Sequence, residues 1–206
     1  MTLSRALGII LCSALLAGCA SSAAPPSIYM LPAENSSEAS TQRSATLAGI
    51  SGEDGPLLAI RALRLAPFLD VQGIAFQLDD VRLQEAGNHQ WAEPLASQLE
   101  RGLRDRLATR LPQDRVMLDR AVDGETPALI LRVEIDRFQG HHSGHAAVGG
   151  RWQLRDAQGQ PLAHRSFDIN TPLEADGYPA LVRALAEGLD QLADEISEQA
   201  NRLHGS

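Results

Sequence analysis

The sequence predicts an α/β (α+β) domain: a two-layer sandwich whose mixed, largely antiparallel sheet carries two long amphipathic helices on one face. Three observations predict it. Leucines recur at 95, 99, 103, 107 and 111, steps of four that keep them on one helix face. Tyr178, Leu181, Leu185, Leu189, Leu192 and Ile196 follow a three-and-four spacing near the C-terminus. Between these stretches, Leu129, Leu131, Val133 and Ile135 alternate with Arg132, Glu134 and Asp136, the pattern of a half-buried strand.

The chain opens with a secretory signal. Arg5 precedes an apolar run from Ala6 to Leu16, too short for a membrane-spanning helix, which needs about 20 apolar residues. The run ends in Leu16-Ala17-Gly18-Cys19, a lipoprotein processing box. Small residues let the extended chain enter the peptidase, and the Cys19 thiol is the acceptor for a diacylglyceryl group. Two or three acyl chains, palmitate among them, hold a protein to a membrane far more firmly than one. The expected organisation is a signal peptide over 1–18, an acylated N-terminus and tether over 19–27, and one domain over 28–206. Ala20 and Ser21 follow the cysteine, and the lack of an aspartate there favours the periplasmic face of the outer membrane.

Ile28-Tyr29-Met30-Leu31 is a first short strand, ended by Pro32. The segment 33–56 has almost no large apolar side chain and cannot offset its ordering entropy, so a flexible tether is expected. Leu57 to Leu65 reads as a strand ended by Pro67. Ile74 to Leu78 and Val81 to Gln84 flank Asp79-Asp80 as a hairpin. The leucine stripe then predicts a helix over 92–111, with Pro94 in its first turn and Pro112 beyond its end. Val116-Met117-Leu118 is a short strand and Asp123-Gly124 a turn. Leu129 to Phe138, Ala146 to Asp156 and Leu162 to Ile169 form a meander. The last helix runs from Pro179 to Leu203, long enough to serve both the core and a neighbouring subunit.

Composition excludes several function classes. The formal charge is -8, and the 18 basic residues, all arginine, form no tract, which argues against nucleic acid as a partner. Cys12 leaves with the signal and Cys19 is acylated, so neither thiol catalysis nor a cysteine-held zinc is open to the mature chain. No Gly-x-Ser-x-Gly elbow and no phosphate-binding glycine loop occur. No cofactor and no catalytic residue are expected. Gly149-Gly150 interrupts a strand and reads as a bulge or a close backbone approach. The candidate metal ligands are His141, His142 and His145, yet adjacent residues of an extended chain point apart, and a solvated hairpin tip accounts for the cluster equally. Phe68 and Leu69, after Pro67, are either an exposed contact patch or a cap on the core. Trp91 is either a staple against Leu95 or a core residue.

Several pieces line up across the chain: the box at 16–19, Tyr29-Met30-Leu31, Leu65-Ala66-Pro67-Phe68-Leu69-Asp70, Gln90-Trp91-Ala92-Glu93-Pro94-Leu95, the strand 131–138 and Arg151-Trp152-Gln153-Leu154. Together they resemble the PqiC (YmbA-like) family of ABC-type transport auxiliary lipoproteins. The chain departs from the family pattern at Val71-Gln72, where an arginine and a proline are usual, and near Phe76-Gln77. The resemblance implies a non-enzymatic subunit of an intermembrane lipid transport system that supports envelope integrity. It implies an outer-membrane lipoprotein that docks an MCE-domain tube and its inner-membrane component, and a homo-oligomer. It makes Pro67, Phe68, Leu69 and Asp70 the candidate partner or oligomer contact. The alternative is a stand-alone periplasmic lipoprotein that binds a lipid or a metal itself.

Overall fold

The computed structural model describes residues 25–33, 55–122 and 124–204. The processing box, Cys19, most of the 33–56 segment and Asp123 of the expected turn lie outside the described residues. The strands are β1 (Ser27–Tyr29), β2 (Leu57–Ile60), β3 (Arg64–Leu65), β4 (Gly73–Gln77), β5 (Leu83–Trp91), β6 (Arg115–Leu118), β7 (Leu129–His141), β8 (His145–Asp156) and β9 (Pro161–Pro172). The helices are α1 (Leu95–Arg110) and α2 (Tyr178–His204).

Strand β7 is the spine of a mixed sheet. Along one edge it pairs antiparallel with β8 from Leu129 to His141, and β8 pairs with β9. Along its other edge three short strands lie in succession, all parallel to it: β2 at Leu129–Leu131, β3 at Glu134–Ile135 and β4 at Gly140–His141. β5 returns antiparallel to β4, and β1 and β6 close the two flanks as parallel partners of β5 and β2. The long strands form the expected antiparallel meander. The parallel pairings come from the short strands, whose partners lie too far along the chain for periodicity to reveal.

Both helix stripes are buried in a single core with the inward residues of β7 and β8. The stripe of α2, Leu181, Leu185, Leu189, Leu192 and Ile196, is consumed within its own chain, and its outward residues include Arg183, Glu187, Gln191 and Glu198. Gly188 lets α2 approach β8, since a Cβ there would lie 2.6 Å from Val148. The register of β7 and β8 shifts between Ile135 and Arg137, and a Cβ on Gly150 would lie 2.0 Å from the Glu134 carbonyl oxygen. The extra residue is Asp136 on β7, so the glycine pair lies opposite the bulge rather than forming it, and Gly150 makes the close backbone approach that its place in the strand predicts.

Several boundaries differ from the sequence reading, the second hairpin strand among them, expected over Val81 to Gln84 and running from Leu83 to Trp91. The strand expected over 57–65 breaks into β2 and β3, because Ile60 pairs with Leu131 whereas Arg64 pairs with Glu134, so one extra residue bulges out. This turns Leu63 into the core, where its N–H donates to Glu100 Oε1 at 3.2 Å. The helix expected from 92 starts at Leu95, with Pro94 as its cap rather than within its first turn. The preceding residues belong to β5, which is held on both sides, by β4 and by β1.

A buried charge joins the two helices. Arg106 of α1 has 1% of its side-chain surface exposed. Its Nε donates to Asp190 Oδ1 of α2 at 2.5 Å, its Nη2 to the Pro32 carbonyl at 3.2 Å and its Nη1 to the Gly102 carbonyl at 3.2 Å. Asp190→Ala removes the countercharge and is expected to cost about 3–5 kcal/mol, whereas the double variant Arg106→Met, Asp190→Leu recovers most of it. Urea unfolding of the three proteins measures both effects.

Asp114, beyond the C-terminus of α1, is buried, and its carboxylate oxygens accept no hydrogen bond among the described residues. Burial raises its carboxyl above the ordinary value of 3.8, and His204, 3.6 Å away at the end of α2, opposes this only in part. The folded chain keeps this proton to a pH at which the unfolded chain has lost it. The group therefore weakens folding progressively as pH rises above 3.8 toward the raised value, and contributes nothing below. Asp114→Asn is expected to gain stability relative to the wild type over that window, a trend that paired denaturation curves from pH 3.5 to pH 7 read directly.

Candidate functional site

Three motifs far apart in the sequence meet at one corner of the domain. Ala66 donates its N–H to the Ile135 carbonyl at 2.9 Å, which docks the start of the 66–72 loop on β7. A single 3-10 turn, Pro67–Leu69, follows. The loop then returns beside β5, where Trp91 donates its N–H to the Gln72 carbonyl at 2.8 Å. On the other side Ala92 donates to the Tyr29 carbonyl at 2.8 Å, carrying the β1–β5 pairing one residue further. Between the loop and the start of α1 lies a surface cleft of about 390 Å³, lined by Asp70, Val71, Gln72, Trp91, Glu93 and Pro94 among others.

The loop splits the two readings of its apolar pair. Leu69 is 1% exposed and caps the core, so it cannot make the partner contact expected of it. The reason is the 3-10 turn, which sends consecutive side chains in different directions. Phe68, 41% exposed, is left outside between Pro67 and Asp70, both exposed. Trp91 is a core residue, tilted against Phe138 with ring centroids 6.2 Å apart.

Two polar clusters that no motif marks hold the N-terminal segment at this corner. Gln98, buried on α1, accepts the Leu31 N–H at 2.9 Å and donates to the Glu93 carbonyl at 3.1 Å. Glu93 pairs in turn with Arg101. On β1 the Tyr29 hydroxyl is 2.9 Å from His89 Nδ1, and His89 stacks on Tyr178 at 3.9 Å. Burial, and then the neighbouring Tyr29, push the Tyr178 hydroxyl above its usual value. Gln98 looks in sequence like any polar helix residue, and His89 falls between the expected hairpin and the expected helix.

The histidines close the β7–β8 hairpin. β7 ends at His141, so His142 lies in the turn, although its N–H still donates to the Gln77 carbonyl at 2.9 Å. Strand alternation therefore does not separate it from His141, and the two rings sit 4.3 Å apart, contrary to the extended-chain expectation. Ser143 Oγ lies 2.7 Å from His141 Nδ1 and 2.8 Å from His145 Nδ1, and these two rings stack at 4.4 Å. Partial burial, then His145 and His142, lower the His141 pKa. Among the described residues no three His, Cys, Asp or Glu side chains are placed to hold a metal.

The face of the sheet opposite the helices is an open hollow of about 650 Å³, with Arg61, Arg64, Arg132, Arg151 and Arg155 around it. Glu134 pairs with Arg151 and more loosely with Arg64, and Asp119 pairs with Arg61. The hollow is polar and exposed and orders no nucleophile beside a base.

The chain matches a known family over most of its length. Residues 29–197 match the ABC-type transport auxiliary lipoprotein component. The chain belongs to this family. It is 31% identical over 188 residues to the intermembrane transport lipoprotein PqiC of Escherichia coli, covering 91% of this chain and 93% of that protein, and equally so to PqiC of Shigella flexneri. A crystal structure of an uncharacterized protein, 27% identical, superposes with a TM-score of 0.70 over 86% of this chain and 99% of the other. A Xanthomonas campestris protein, 16% identical, shares the fold at a TM-score of 0.64 over 87% and 99%. The family is one of membrane-associated transport lipoproteins and not of enzymes.

Gln98→Ala leaves the Leu31 N–H without its acceptor and is expected to cost about 1–3 kcal/mol. Because the bond ties a peripheral segment, the effect concentrates there. Hydrogen exchange should speed up at Leu31 and at the β1 amides while the β7 and β8 amides stay protected.

Proposed function

We propose that this chain is the outer-membrane lipoprotein of an intermembrane lipid transport system, anchored through acyl chains on Cys19 and facing the periplasm. In this reading it forms a homo-oligomer that receives an MCE-domain tube reaching from the inner-membrane component, and it supports envelope integrity without catalysis. The observation that carries the reading is the near-complete coverage of PqiC at 31% identity, joined to the processing box Leu16-Ala17-Gly18-Cys19. The convergence of the loop 66–72 and the segment 91–94 at one cleft supports a docking role at this corner. Asp70 lines this cleft, Pro67 and Phe68 stand exposed in the turn just before it, and Leu69 is buried beneath them.

Phe68 is the side chain to test, because a partly exposed aromatic can anchor an interface while contributing little to its own fold. Phe68→Asp is expected to weaken capture of the MCE protein by about 2 kcal/mol, roughly thirtyfold, with an unchanged unfolding midpoint. Co-purification from membranes and light scattering of the purified chain measure it. Retention of full capture and an unaltered oligomer mass would remove the loop from the interface. In parallel, labelled palmitate should enter the wild type and be absent from Cys19→Ser.

A further inference from the structure

The tip of the β4–β5 hairpin carries apolar side chains that the core does not use. Among the described residues, Leu78, Val81 and Leu83 are exposed, and Val81, at 83%, is the most exposed large apolar side chain. The turn holds them outward. Asp79 Oδ1 accepts the N–H groups of Val81 at 3.1 Å and Arg82 at 2.8 Å, and the Leu78 N–H donates to the Arg82 carbonyl at 2.9 Å. Asp79 Oδ2 pairs with Arg82 Nε, which holds its carboxyl below the usual range. The charge of Asp79 is thereby answered within the turn, and Asp80 is the tip's carboxylate without an ion-pair partner among the described residues.

The direction of β1 says what lies in front of this tip. β1 runs parallel to β5, with Ser27 opposite His89. β5 begins at Leu83, so the chain leading into Ser27 approaches from the side of the hairpin tip. From His89 back to Leu83 is about 20 Å of strand. From Ser27 back to Cys19 is at most about 26–29 Å of fully extended chain. A lipid-bearing Cys19 therefore reaches little beyond the level of the tip. Two of the other exposed apolar residues, Ile28 and Met30, sit on or beside β1 itself. The opposite end of the sheet, where β8 turns into β9, is out of reach of so short a tether.

We infer that the β4–β5 hairpin tip is a second membrane contact, with Val81 entering the lipid surface flanked by Leu78 and Leu83. The inference rests on the acylation of Cys19 proposed above. Two points of attachment, the acyl chains and the tip, then fix the orientation of the domain, with α2 starting near the membrane and ending away from it. The occupant is a lipid surface because the anchor's reach brings the bilayer to this end.

The test uses the lipidated full chain in vesicles of phosphatidylethanolamine and phosphatidylglycerol. Val81→Cys provides one free thiol for a polarity-sensitive label, because the Cys19 thiol is occupied by its acyl group. Leu162→Cys, exposed on β9 at the far end, is the reference. The label at 81 is expected to shift to the blue and lose its access to aqueous iodide when the vesicles are present, while the label at 162 stays fully quenched. Equal quenching at both positions in protein that floats with the vesicles overturns the inference and leaves the anchor intact. Shielding at 81 already complete before lipid is added marks a contact between copies of the chain and overturns it as well. A Cys19 peptide without acyl mass, in protein that fails to float, removes the anchor and this inference together.

Discussion

The structure depends on a charge that cannot reach water. Arg106 stands on the α1 face that also carries the leucine stripe, and its guanidinium is always ionised, so it must find acceptors inside. It finds them on three different pieces of chain: Asp190 on α2, the Pro32 carbonyl of the N-terminal segment and the Gly102 carbonyl one turn back. The leucines bring α1 to the core without saying how it should lie along its neighbours. The acceptors supply that direction together, because Arg106 must meet Asp190 and the Pro32 carbonyl at once. Arg110 and Asp194 repeat the pairing one turn further, where water is nearer.

The same helix uses two other buried polar side chains in the same way. Gln98 holds Leu31, and Glu100 holds Leu63 and pairs with Arg120. Each gathers a segment that has no regular structure of its own. α1 therefore acts as the clamp for the N-terminal strand and for the break between β2 and β3.

β7 plays the complementary part in the sheet. Its one edge is given wholly to β8, and its other edge is shared among β2, β3 and β4. The bulge opposite Gly150 changes which residues face inward, so that Phe138 and Gly140 continue the core line that Ile135 ends. The consequence for the site is direct. The Ile135 carbonyl receives the N–H of Ala66, which sets the loop bearing Phe68 at the level where β5 passes into α1.

The elements that repeat were legible in the sequence. The two helix stripes, the alternation of Leu129 to Ile135, the glycine pair and the hairpin around Asp79 each carry their signal within a few residues, because helix and strand periods are local. What tertiary structure decided was everything that depends on which residue stands opposite which. It extended β5 to Trp91 by pairing it on both edges, buried Leu69 while leaving Phe68 outside, and set His142 in the turn beside His141. It placed Gln98, Glu100 and Arg106 inside a helix where composition alone would put them in water. The physical reason is that hydrogen bonds and ion pairs between distant segments have no period, so the chain must be folded before their partners are known.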